Sequence, residues 1–272
     1  MANRRSRPLL LLAFLVILAV STTHARSEQP TAAATAAFNA YVSALESRLA
    51  QQHGRQTTFI AAVDPAQQNG IRQGQLAIER LTPQSDANPV HALLHHWRGT
   101  AFVPGVKAAD FERVLRDYSH YPQYFAPQVL QATVLSQQDD HQRVKMRVRQ
   151  HHILTVVLDT TYDITRGRLD AQRGFSFSRS AQISEIASPG TPNERALTPD
   201  EDHGFLWRLN TYWSYEERDG GVYMQVETVS LTRSIPTGLA WAVRPFVESV
   251  PRESLEFTMR AVRDALQQQG HE

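Results

Sequence analysis

The strongest constraint in this chain is a run of segments with period-two hydrophobicity that closes on one long segment of helical period. Residues 143–149 alternate Val144, Met146 and Val148 against Lys145, Arg147 and Arg149. Residues 205–217 and 222–233 flank Arg218-Asp219-Gly220-Gly221, and an Asp-Gly pair between two alternating segments is a strong hairpin signal. Residues 128–136, 153–164 and 175–186 read as further strands, and 91–103 as a first strand ended by Pro104-Gly105. Phe111, Val114, Leu115 and Tyr118 then recur at helical spacing over 110–118, and Tyr121-Pro122 stops that helix. The long final helix is expected from Pro251, with Leu255, Met259, Val262 and Leu266 on its buried face. Antiparallel strands joined by hairpins, followed by one terminal helix, define an α+β domain. A sheet of about seven strands twists and curls. Its concave face is the surface large enough to bury the helix, and a curved sheet gripping a helix tends to leave a cavity between them.

The segments before residue 91 differ in character. Arg4, Arg5 and Arg7 precede an unbroken apolar run from Leu9 to Val20, and Thr23-His24-Ala25 supplies small residues at a cleavage position. This predicts a signal peptide over 1–25, cleaved after Ala25, because the run is too short for a bilayer span of about 20 residues. An uncleaved anchor is the alternative. Residues 26–90 form a leader. Its helix over 31–52 places Phe38, Tyr41, Val42, Leu45 and Leu49 on one face, with Gly54 just past the end. A polar loop over 64–74, a short strand over 75–81 and a turn cluster over 82–89 follow. The main domain is then 91–272, with a long loop containing three prolines over 188–202.

The whole chain carries 28 Lys and Arg against 27 Asp and Glu. Loss of the three leader arginines turns +1 into −2, with no basic block, which argues against nucleic acid as a partner. The absence of cysteine excludes disulfides, thiol nucleophiles and cysteine-ligated zinc. The expected product is periplasmic or secreted, and no cofactor motif is present: no Gly-rich phosphate loop, serine elbow or paired catalytic carboxylates.

Strand, helix, run of strands and long C-terminal helix, in that order over 91–269, resemble the START-like (SRPBCC) helix-grip superfamily. That superfamily includes polyketide cyclase/dehydrase-like proteins, coenzyme-Q-binding proteins and the birch-pollen allergen family. Two segments support the resemblance: Asp117-Tyr118-Ser119-His120-Tyr121-Pro122-Gln123-Tyr124-Phe125-Ala126-Pro127 at the helix end, and Ser254-Leu255-Glu256-Phe257-Thr258 leading into the final helix. The resemblance implies a sheet wrapped around the C-terminal helix and an internal pocket for an apolar or amphipathic small molecule. Some members are enzymes and many only bind or carry, and no catalytic signature transfers to this chain. The leader and the loop over 188–202 depart from a minimal member.

Several side-chain groups stand out for chemistry. In His95-His96-Trp97-Arg98, neighbouring residues point to opposite faces of a strand, so the two histidines cannot share a metal, and the same holds for His151-His152. A metal would need one of each pair plus a carboxylate such as Asp159 or Glu185, and no metal site is expected. In 204–213, parity groups Phe205, Trp207, Leu209 and Trp213 on one face and Leu206, Arg208, Asn210 and Tyr212 on the other. Apolar-in and polar-out is one reading. The other turns Arg208 and Tyr212 into the cavity, with Glu227 on the hairpin mate as the partner of Arg208. Lys145, Arg147 and Arg149 form either a solvated face or an anion ridge. Glu201-Asp202-His203 could support acid–base work only with unusual geometry. The apolar stretch 235–251 is either a short helix under the sheet edge or a lid whose Leu239, Trp241 and Phe246 touch a membrane surface.

The expectation is a lipid-like ligand held by Trp97, Trp207 and Trp213 as walls, with Arg98, Arg208, Tyr212 and Glu227 as polar contacts. An enzyme of cyclase, dehydratase or hydrolase type using the same cavity is the alternative, and a protein-interaction module of the envelope is the third.

Overall fold

The computed structural model describes residues 29–81, 92–151, 155–234 and 240–269, with side chains left out at Gln56, over 240–248 and at Gln269. The expected signal peptide, its cleavage site, the turn over 82–89, His91, His152 and Leu239 lie outside the described residues, as do the side chains of Trp241 and Phe246.

The leader begins with helix α1, Ala32–His53, whose N-terminus is capped by Thr31 Oγ1 accepting from Ala34 N at 3.0 Å. A 3-10 turn at Gln56–Thr58 leads to α2, Pro65–Arg72. The sequence pattern reads that stretch as loop. Asp64 instead caps Ala66 N at 2.9 Å and Pro65 occupies the first helical turn, so the proline starts a helix here. β1, Ala77–Arg80, follows, then β2, Ala92–Pro104. α3, Ala108–Arg116, a 3-10 turn at Tyr118–His120 and the single turn α4, Tyr121–Tyr124, form the connection. The strands β3 (Val129–Gln138), β4 (His141–His151), β5 (Thr155–Arg168) and β6 (Arg173–Ala187) come next, with the two-residue β7 (Arg195–Ala196) inside the proline-containing loop. β8 (Arg208–Arg218) and β9 (Gly221–Arg233) form the expected hairpin, and α5, Ala240–Gln269, ends the chain.

The sheet is antiparallel, in the order β1-β2-β9-β8-β6-β5-β4-β3, with β7 attached to β6. The extra edge strand over the expected count comes from the leader, where Ile78 pairs with Gly99. At the hairpin tip Asp219 and Gly220 both have positive φ, +57° and +77°, so Arg218 faces Gly221 directly. α5 is longer than the expected helix: it starts at Ala240 and contains Pro245 and Pro251. Proline's fixed φ suits a helix, and each ring removes one backbone hydrogen bond without ending the element. Among the described residues no helix is long and apolar enough to cross a membrane.

Both sheet faces are covered. On the inner face Met259, Leu255, Val262 and Leu266 of α5 join Ala101, Val103, Val226, Trp213 and Phe111 in one buried cluster. On the outer face Ala34, Phe38, Leu45 and Leu49 of α1 join Leu94, Val229, Leu231, Tyr212 and Phe177 in another. The architecture is a helix grip with a second helix bolted to the back of the sheet.

α5 packs tightly on the sheet at Gly99, where a Cβ would run into the Met259 thioether. Gly99→Val should cost about 1–3 kcal/mol by overpacking. Met259→Ala should recover part of that loss in the double variant, as urea midpoints of the four proteins will show. Additive losses would mean that α5 does not seat on β2 at this point.

Candidate ligand site

The register lines up one transverse row on the inner face. Trp97 of β2 opposes Thr228 of β9, which opposes Thr211 of β8, then Ser178 of β6 and Ile164 of β5. Trp97 and Ile164 belong to the inner cluster, which places the row on the α5 side. Among the described residues the three hydroxyls between them form no hydrogen bond, and they are partly exposed, although they lie on the face that α5 covers. They are small, so the row is a polar trough between apolar ends. Along the next row, Gly99–Val226–Trp213–Ser176–Arg166, the buried Arg166 Nε has no hydrogen-bond partner among the described residues. The Trp97 indole N–H is enclosed and unpaired as well. Enclosed polar groups normally have partners, so the Trp97 N–H suits a ligand acceptor, and the partly exposed hydroxyls are open to the same ligand.

Only part of the expected wall lies here. Trp97 and Trp213 are on the inner face, whereas Trp207 belongs to the α1 cluster on the outer face. The expectation that Trp207 shares a face with Trp213 is therefore corrected. Gly204, at φ +72°, turns the chain just before β8 begins at Arg208, so strand parity does not extend back to position 207. For the same reason Phe205 is exposed and lies against His203, at 5.7 Å between ring centroids.

Glu227, Tyr212 and Arg98 are also on the outer face, beneath α1. The expected pairing of Arg208 with Glu227 does not occur: the two-residue tip puts Tyr212 opposite Glu227 and Arg208 opposite Leu231. Arg208 donates instead to the carbonyl of Trp207 at 2.9 Å. Glu227, 2% exposed, is bound by Arg48 of α1 at 2.5 Å and His96 Nε2 at 2.8 Å, with Arg98 at 3.8 Å. A carboxylate only accepts, so His96 carries its hydrogen on Nε2, and Tyr41 is 2.8 Å from Nδ1. Tyr212 donates to Glu46 of α1 at 2.9 Å, and Arg179 binds that same carboxylate at 2.6 Å. His53, at the end of α1, is stacked between Phe59 and Phe175 and meets Ser214 at 2.8 Å. This network holds α1 down.

The remaining candidates are occupied. Arg147 is held by Asp159 at 2.7 Å and Glu194 at 2.6 Å, and Lys145 lies 3.2 Å from Asp159, so two cations of the expected ridge are neutralised. His203 pairs with Glu185 at 3.0 Å, while Glu201 pairs with Arg195. No group of metal-ligating side chains occurs among the described residues.

Burial, together with the Arg48 charge, lowers the His53 pKa to about 4 from an ordinary 6.5, against the opposing pull of Glu227. Burial raises the Glu227 carboxyl, but the His96 hydrogen bond and the Arg48, His96 and Arg98 charges outweigh it and hold the group below its usual range. Both shifts act in one direction. The unfolded chain takes up a proton at position 53 before the folded chain does, so stability declines as pH falls from 6.5 through about 4, and Glu227 adds to the loss at the acid end. The His53 share is about 2–3 kcal/mol. His53→Phe keeps the ring stack, and the slope of Tm against pH over this window should flatten relative to wild type. An unchanged slope would show that His53 is not buried between Phe59, Phe175 and the sheet.

Comparisons with known proteins concern the fold. No protein-family model matches the chain, and no curated protein matches it significantly. Among solved structures, a STAR-related lipid transfer protein fragment from Xanthomonas axonopodis is 18% identical at a TM-score of 0.49, covering 71% of this chain and 93% of that one. Human STARD10 is 10% identical at 0.45, covering 76% and 81%, and the Zhui aromatase/cyclase from Streptomyces sp. R1128 is 16% identical at 0.44, covering 64% and 94%.

Proposed function

We propose that this protein binds an apolar or amphipathic small molecule between the inner face of the sheet and α5. The row Trp97–Thr228–Thr211–Ser178–Ile164 carries this reading. It combines unpartnered hydroxyls with apolar ends, on a face shielded by a helix. Burial of ligand hydrocarbon supplies the driving force, about 25 cal/mol per Å², and the hydroxyls orient a polar group. The signal peptide expected over 1–25 supports action outside the cytoplasm. Loading through contact of Leu239, Trp241 and Phe246 with a lipid surface belongs to the same reading and rests on the sequence.

The enzyme alternative has less to draw on. Glu227, Tyr212 and Arg98, the polar groups that would serve it, are tied into the α1 network on the opposite face. A carrier needs only the trough.

A fluorescent long-chain fatty acid or quinone probe should bind saturably near one to one and quench Trp97 and Trp213. Thr211→Trp fills the trough and should weaken binding at least tenfold with an unchanged far-UV spectrum. Absence of uptake, together with a clean apo mass in native mass spectrometry after mild extraction, would refute the carrier reading.

A further inference from the structure

A cavity of about 580 Å³ opens on the other side of the sheet, enclosed by the end of α1, the segment after it, α2 and the outer ends of β2, β8 and β9. Arg48, Arg55, Arg72 and Arg218 line it, and no Asp or Glu is among its lining residues. The acids that these arginines use lie behind or beside them. Arg48 reaches the enclosed Glu227, and Arg218 lies 3.2 Å from Glu216, which Arg173 also claims. Arg72 holds Asp219 at 2.8 Å, and the Arg218 guanidinium stacks over Tyr223 at 4.3 Å. These pairs use only some of the five donors on each guanidinium. The side chains of Arg48, Arg72 and Arg218 remain 42%, 58% and 49% exposed, within reach of a ligand. Arg55 is exposed, and among the described residues its guanidinium makes no hydrogen bond or ion pair. Ile60 and Ile71 add apolar surface to the same cavity.

We propose that this cavity is a second binding site, for a small molecule bearing a carboxylate or phosphate group on a short apolar body. Its size lies within the range of small-molecule sites. Four guanidiniums around an acid-free lining match an oxyanion by charge and by hydrogen-bond geometry. The site is built from the leader, does not involve the trough under α5, and stands whether or not the carrier reading does.

Hexyl phosphate and inorganic phosphate, titrated calorimetrically into the full chain at physiological salt, test it. Saturable one-to-one binding of either is expected. Tighter binding of hexyl phosphate assigns an amphiphile, and equal binding assigns a compact anion. Arg55→Glu removes no side-chain hydrogen bond or ion pair among the described residues and should weaken binding about tenfold or more, because it replaces an attraction with a repulsion inside the site. Thr211→Trp should leave it unchanged, which separates this site from the trough. No saturable binding of either probe, equal binding by Arg55→Glu and wild type, or loss of binding in Thr211→Trp overturns the proposal.

Discussion

Everything in this structure depends on burying both faces of the three central strands β2, β9 and β8. A sheet covered on one side can leave polar side chains in water on the other. Here that option is closed, because α5 covers the inner face and α1 the outer. Every polar side chain on the outer face of the central strands must therefore find a partner or pay for desolvation. The structure meets most of this demand by pairing strand residues with polar residues of α1: Glu227 and His96 with Arg48 and Tyr41, Tyr212 with Glu46, and Ser214 with His53, while Glu227 Oε1 has no hydrogen bond among the described residues. α1 docks through an apolar stripe and a polar network together.

This double burial also explains what could be read from the sequence. Alternation located the strands to within a few residues, and Asp219-Gly220 located the hairpin tip, because both signals are local. The parity of β9 separates Val222, Met224 and Val226 from Tyr223, Gln225 and Glu227, and that separation is observed. Alternation alone cannot say what covers the polar set. Nothing local to Glu227 or Tyr212 reveals that a helix more than 160 residues earlier supplies Arg48 and Glu46. A signal was present in α1 itself: Arg48 and Glu46 flank its apolar stripe rather than the face opposite it. Trp207 was misplaced for a different reason, since parity was carried across the turn at Gly204, where the pleat is broken.

The two faces end up with opposite chemistry. The outer face uses most of its polar groups in intrachain pairs, although Glu227 Oε1, His53 Nδ1 and Trp207 Nε1 make no hydrogen bond among the described residues, and its rim, at Arg48, Arg55, Arg72 and Arg218, keeps exposed guanidinium donors. The apolar residues of the inner face seat α5 around Gly99, while the Thr228–Thr211–Ser178 row is left without hydrogen-bond partners among the described residues. Small hydroxyl residues in the middle of a sheet are poor packing elements, because they bury little hydrocarbon and require hydrogen bonds that the fold does not supply. A row of three costs stability in an otherwise well-filled cluster. Such a departure from efficient packing is a characteristic of sites kept for binding. By taking over the outer face, the leader stabilises the sheet from behind.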